Sequence, residues 1–147
     1  MLTAGLIAGF GVTGPAHATE GKRVRITGEV MDTWCYLSGV MGGPEAVVGS
    51  AHHTCALWCA AGGIPVGVLT EDGTVYFVLV MEGSTDIVGT DTVLELQSDR
   101  ITADGMAYER DGNNFLVVEK IVTNEGLTNH NHEDFGPIPG FAIPGLK

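Results

Sequence analysis

Apolar and polar residues alternate over several short segments of the chain, and this pattern predicts β-strands. From Lys22 to Val30 the sequence KRVRITGEV places Val24 and Ile26 on the same face as Val30. Gly28 interrupts that face at a position where we expect the strand to bend. The segment therefore predicts a first strand with one face toward a core.

Four later segments predict two β-hairpins: 65–69 with 74–80, and 100–109 with 114–122. An Asp-Gly pair separates the strands of each hairpin, Asp72-Gly73 in the first and Asp111-Gly112 in the second. Asp-Gly between alternating segments is typical of a tight hairpin turn. Residues 92–98 fit either a short helix or a strand.

A stretch rich in glycine and proline separates the first strand from the first hairpin. Residues 31–49 are interpreted as a loop, and residues 51–61 (AHHTCALWCAA) as a short helix. Ser50 is the expected N-cap, and Gly62-Gly63 followed by Pro65 ends the helix. Five strands with one such insertion predict a small closed barrel.

Three segments carry a family resemblance: the opening VRITGEVMD, the central GVLTEDGTVYFVL and the closing DRITADGMAYERDGNNFLVVEKI. They resemble the OB-fold, in particular small exported and lipoprotein-type relatives of the anticodon-binding OB domains. The resemblance spans Lys22 to Val122 without the insertion. It implies an all-β fold, a small five-stranded OB-like closed barrel with a short helix inserted between strands 1 and 2.

The charge balance excludes partners that depend on basic surfaces. The 147 residues include 7 Lys or Arg against 18 Asp or Glu, a formal charge of −11. Nucleic acids and anionic membranes attract clusters of Lys and Arg. The basic, aromatic-studded face of nucleic-acid-binding OB domains is absent from this sequence, so we expect no nucleic-acid partner.

The ends of the chain differ in composition from its centre. Residues 1–18 end in Ala16-His17-Ala18 and are interpreted as a signal peptide or its remnant. Residues 19–124 form the OB-like barrel with a Cys/His insertion over 31–63, and residues 125–147 form a Pro/Gly-rich tail. We expect a periplasmic or secreted protein with no membrane span in the mature chain. The tail is expected to be dispensable for stability and available to a periplasmic protein partner.

Every cysteine of the chain lies near two adjacent histidines. His52, Cys55 and Cys59 fall within about 60° of one another around the predicted helix, so one helix face presents an imidazole and two thiols. His53 points about 100° away from His52. Cys35 ends the first strand, from which the chain returns as this helix. The predicted metal site consists of Cys35, His52, Cys55 and Cys59, a soft donor set suited to copper or zinc.

Other interpretations of the same residues stay open. An iron–sulfur cluster is disfavoured, because export of a folded cluster calls for a twin-arginine signal that this sequence lacks. Cys55 and Cys59 are alternatively the redox pair of a thiol–disulfide or electron-transfer protein. A disulfide from Cys35 to one of them would instead staple an interaction module. We expect a non-catalytic carrier or accessory protein, with Trp34 and Trp58 shielding the metal from water.

A few further side chains have weaker claims on a metal. Asp32 is interpreted as a turn carboxylate, with orientation of a ligand histidine as the alternative. Met31 and Met41 are soft donors whose default role is core packing. The tail contains His130 and His132, whose spacing permits weak metal binding.

Overall fold

The computed structural model of the protein describes residues 19–82 and 91–131. The proposed signal peptide, residues 1–18, lies outside these ranges, and so do residues 132–147 of the tail. None of the helices in the described ranges has the length and apolar character needed to cross a bilayer.

Five strands and three α-helices make up the described chain. In chain order they are β1 (Lys22–Asp32), α1 (Thr33–Ser38), α2 (Gly49–Ala61), β2 (Val66–Thr70), β3 (Val75–Met81), α3 (Asp91–Glu95), β4 (Arg100–Arg110) and β5 (Asn113–Asn124). A single 3-10 turn, Pro44–Val47, lies between α1 and α2. The predicted strands are all present, while residues 31–49 contain the end of β1 and a helix that the sequence pattern did not predict.

The strands close into a barrel in the order β1-β2-β3-β5-β4, with β4 pairing back onto β1. Four of the pairings are antiparallel, and β3 runs parallel to β5. The predicted five-stranded, OB-like closed barrel with a helix between strands 1 and 2 is therefore confirmed. The core inside the barrel is built from apolar side chains of all five strands, with valine the most frequent. Ala60 of α2, Val93 of α3 and Leu96 also belong to it.

Strand β1 curls so that it can pair with two neighbours. Its first residues pair with β4 and its last residues with β2, and both pairings include Gly28. A Cβ atom at Gly28 would lie 2.5 Å from the backbone oxygen of Leu69. Glycine thus allows the close backbone approach that closes the barrel, which agrees with the predicted bend.

The Asp-Gly turn of the second hairpin is confirmed. Asp111 and Gly112 have φ angles of 52° and 77°. Two consecutive positive φ angles match the right-handed twist of antiparallel strands and favour Asp-Gly or Asn-Gly.

Helix α2 begins two residues before the position expected from Ser50. Val48 is its N-cap residue and supplies no side-chain hydrogen bond. The first amides of the helix find acceptors elsewhere in the chain: Gly49 N–H donates to Glu29 Oε1, and Ser50 N–H donates to the Asn129 backbone oxygen at 2.8 Å. Acceptors distant in sequence therefore replace the predicted cap.

The segment that follows β5 packs against the start of α2. Asn131 Oδ1 accepts a hydrogen bond from the Ala51 amide at 3.1 Å, and its Nδ2 donates to the backbone oxygens of Val48 and Glu45. Gly49 leaves room for this contact, because a Cβ there would lie 2.0 Å from the Asn129 oxygen. These contacts argue against the expectation that the whole chain beyond Asn124 is dispensable.

Candidate metal centre

Helix α1 places Cys35 against the barrel. Its N-cap is Asp32, the last residue of β1, whose Oδ1 accepts a hydrogen bond from the Cys35 amide at 3.0 Å. Thr33 Oγ1 donates a hydrogen bond to the backbone oxygen of Pro65 at 2.6 Å. This bond connects the start of the Cys/His insertion to the residues that follow its end. Gly39, with φ of 64°, ends the helix by donating its amide to the Cys35 oxygen. Cys35 is consequently held at both backbone groups and is buried.

Helix α2 presents the other two thiols beside its buried face. His52, Ala56 and Ala60 are buried and recur every four residues, which defines the stripe that faces the barrel. Cys55 and Cys59 each precede an alanine of that stripe and are half-buried. The two thiols therefore lie at the border between the core and solvent.

The three cysteines form one compact group, here called the thiol triad (Cys35, Cys55, Cys59). Their Sγ atoms all lie within 4.8 Å of one another, and all three thiols are free. The chain leaves the barrel after β1 and returns as α2, which brings Cys55 and Cys59 next to Cys35, as predicted. Such a group of sulfur atoms can converge on one soft metal ion.

His52 lies close to the triad but belongs to a second group. Its ligand nitrogen lies within 4.8 Å of Cys35 and of an Asp32 oxygen, while the four predicted ligands do not form one mutual group of this size. His52 Nε2 and Asp32 Oδ2 are 2.7 Å apart, and both side chains are buried. We call these two residues the Asp–His pair.

Asp32 is a candidate site residue whose importance the sequence pattern does not indicate. It was interpreted as a turn carboxylate, and it is one, since it caps α1. The same carboxylate also binds His52, so that it joins β1, α1 and α2 at one buried point. A capping role can be predicted from the position of Asp32 three residues before Cys35. The contact with His52 cannot, because it depends on where α2 packs after the intervening loop.

The Asp–His pair has a defined protonation at the contact. Burial acts to raise the pKa of Asp32, but the hydrogen bonds from the Cys35 amide and from His52 outweigh it and hold that pKa below its ordinary value. An ionised carboxylate only accepts hydrogen bonds. His52 Nε2 therefore carries the proton, and only Nδ1 retains a lone pair when the ring is neutral.

Two of the metal-free thiols, those of Cys35 and Cys59, resist ionisation. Burial raises the pKa of Cys35 well above its ordinary value, and the neighbouring Asp32 carboxylate raises it further. Burial, followed by the charges of Asp32 and Cys55, raises the pKa of Cys59 from 9.0 to about 11. A cation bound among these sulfurs would have to displace their protons.

This resistance predicts a loss of stability at alkaline pH. Because the folded-state pKa of Cys59 is raised, the neutral thiol stabilises the fold fully below pH 9.0, and this contribution disappears as the pH rises toward about 11. Urea unfolding of reduced, metal-free protein over that interval should show a falling midpoint. A variant with all three cysteines replaced by alanine should show a smaller fall, and equal slopes would contradict the prediction.

The two tryptophans do not shield the site, contrary to expectation. The exposed fraction is 57% for Trp34 and 76% for Trp58. Leu37, Val40 and Met41 of α1 and the following loop are also exposed. Of the two methionines considered as soft donors, Met31 packs in the interior as expected of its type, whereas Met41 is exposed. The short helices cannot bury both faces against one barrel, so the outer face remains in solvent.

The other histidines in the described residues, His53 and His130, belong neither to the thiol triad nor to the group of Asp32, Cys35 and His52. His53 Nδ1 contacts the Gln97 backbone oxygen at 3.0 Å, in agreement with its predicted direction away from His52. His130 is exposed on the segment that caps α2, and His132 falls outside the described residues. Neither His53 nor His130 joins a group of three metal-type ligands in the described residues.

Comparisons with protein-family models, with curated proteins and with solved structures find no match for the chain.

Proposed function

We propose that the protein binds one soft transition-metal ion through the thiol triad and acts outside the cytoplasm as a non-catalytic carrier or accessory protein. One observation carries the proposal: the three cysteines of the chain, one in α1 and two in α2, bring their Sγ atoms within 4.8 Å of one another. Thiolates are soft ligands that favour copper and zinc. The apolar stretch of residues 1–18, which ends in Ala16-His17-Ala18, supports export.

Exposure of the site favours a carrier over a purely structural centre. Cys35 is buried, but Cys55 and Cys59 are half-buried at the surface of α2. Structural zinc sites are closed by four protein ligands, whereas an ion to be handed on must be reachable by an incoming ligand. The two helical thiols give an acceptor such access.

The redox alternative has less support from the site. Reactive cysteines of thiol–disulfide exchange have a lowered pKa, because the thiolate is the nucleophile. Burial and the Asp32 charge instead raise the pKa of Cys59 to about 11. The Cys59 thiol is thus better suited to being deprotonated by a bound metal than to attacking a disulfide.

The test is metal binding by reduced protein purified without oxygen. One equivalent of Cu(I) or Zn(II) is expected to bind, and replacing Cys55 and Cys59 by serine is expected to abolish stoichiometric binding. His53→Ala is the matched control, because its imidazole neighbours the site in sequence but contacts Gln97. Equal binding by the wild type and the double serine variant would refute the proposal.

A further inference from the structure

The sulfur and nitrogen donors of the site are separated into two groups. The thiol triad forms one mutual group, whereas His52 forms a group only with Cys35 and Asp32. Among the residues that the structure describes, no His, Cys, Asp or Glu joins the triad as a fourth mutual ligand. The site is therefore arranged for three sulfur donors.

The spacing of the sulfurs fits a planar, three-coordinate ion. With metal–sulfur bonds of about 2.3 Å, three sulfurs around one ion lie about 4.0 Å apart. The observed sulfurs all lie within 4.8 Å of one another, a limit that includes this separation. Zinc in protein sites almost always completes a tetrahedron of four ligands, while Cu(I) accepts two or three soft donors.

The Asp–His pair holds His52 beside the thiol triad, in a group with Cys35 and Asp32 that does not include Cys55 or Cys59. The Nε2 proton of His52 is held by Asp32 at 2.7 Å, and the same carboxylate holds the Cys35 amide at 3.0 Å. Both contacts are buried. Asp32 therefore links His52 to the backbone of Cys35. The same carboxylate holds α2 against α1 in the arrangement that brings the thiols together.

From these contacts we infer that the thiol triad is an all-sulfur, three-coordinate site for Cu(I), and that His52 acts on it as a positioning residue through Asp32. This inference rests on the proposed function, since it names the ion and the ligands of the same site. His52 and the ion do not touch. Removing the imidazole should weaken Cu(I) binding only because the hydrogen bond to Asp32 is lost.

The first experiment is X-ray absorption at the copper edge of wild-type protein loaded with one equivalent of Cu(I). Three sulfur neighbours and no histidine scattering are expected. Histidine scattering, or only two sulfur neighbours, would overturn the inference while leaving metal binding intact. Failure of the reduced protein to bind either Cu(I) or Zn(II) would overturn the proposed function as well.

The second experiment separates positioning from ligation by substitution, with Cu(I) affinity measured against a chromophoric Cu(I) chelator. His52→Gln retains a donor at the position of Nε2 but carries no imidazole, so its affinity should stay within about threefold of the wild type. His52→Ala lacks that donor and should bind at least tenfold more weakly. Cys35→Ser should also lose at least tenfold. A tenfold loss in His52→Gln, with His52→Ala no worse, would show that the imidazole is a ligand.

Discussion

Replacing Asp32 by alanine is expected to lower the free energy of unfolding by about 2–4 kcal/mol. The substitution removes the N-cap of α1, a loss of about 1 kcal/mol. It also leaves the buried His52 N–H without its acceptor, which costs about 1–3 kcal/mol more. Both partners lie within 2.7–3.0 Å of the carboxylate and away from water. Urea unfolding of metal-free protein measures the change, with an unchanged slope showing that the transition is still two-state.

Two further variants make this expectation specific. Asp104→Ala removes an exposed carboxylate that pairs with Arg25 at 2.7 Å, and exposed pairs contribute about 0–1 kcal/mol. Asp32→Asn keeps an oxygen for the Cys35 amide and can donate to His52 in its other tautomer, so its loss should be intermediate. If Asp32→Ala were no more harmful than Asp104→Ala, the buried junction would not stabilise the fold.

Ending the chain after Asn124 is expected to destabilise the protein by about 2–4 kcal/mol, in contrast to the result expected from composition alone. The truncation removes the acceptors of the Ser50 and Ala51 amides at the start of α2. It also removes the two main-chain hydrogen bonds that Arg100 makes with Glu125 and Gly126. Each such bond contributes about 0.5–1.5 kcal/mol. Thermal or urea unfolding of the two chain lengths measures the loss.

A chain ended after Asn131 is the matched control, because it keeps every capping group and lacks only the residues beyond. Its stability should be close to that of the full chain. Gly49→Ala tests the same contact without truncation, since a Cβ there would strike the Asn129 oxygen. It should be more harmful than Gly73→Ala, where φ is also positive but no atom lies within 4 Å. Equal stability of the chains ended after Asn124 and Asn131 would contradict the capping role.

The sequence by itself was sufficient for the barrel and for the helix that carries two of the thiols. Strand alternation and Asp-Gly turns are local signals, because side chains alternate between faces along a strand and a two-residue turn needs positive φ angles. The spacing of Cys55 and Cys59 likewise specifies one helix face whatever the helix packs against. These features could be read from neighbouring residues alone.

Only the tertiary structure decided how the site is organised and what surrounds it. Helix α1 is only six residues long, which is too short for a hydrophobic period to predict it. It depends on the Asp32 cap and on the contact of Thr33 with Pro65. The division of ligands between the thiol triad and the Asp–His pair arises because β1 ends beside α2. Exposure of Trp34 and Trp58 depends on which helix face meets the barrel. Apart from the local cap by Asp32, the deciding contacts join residues distant in the chain, and such contacts cannot be predicted from a local pattern.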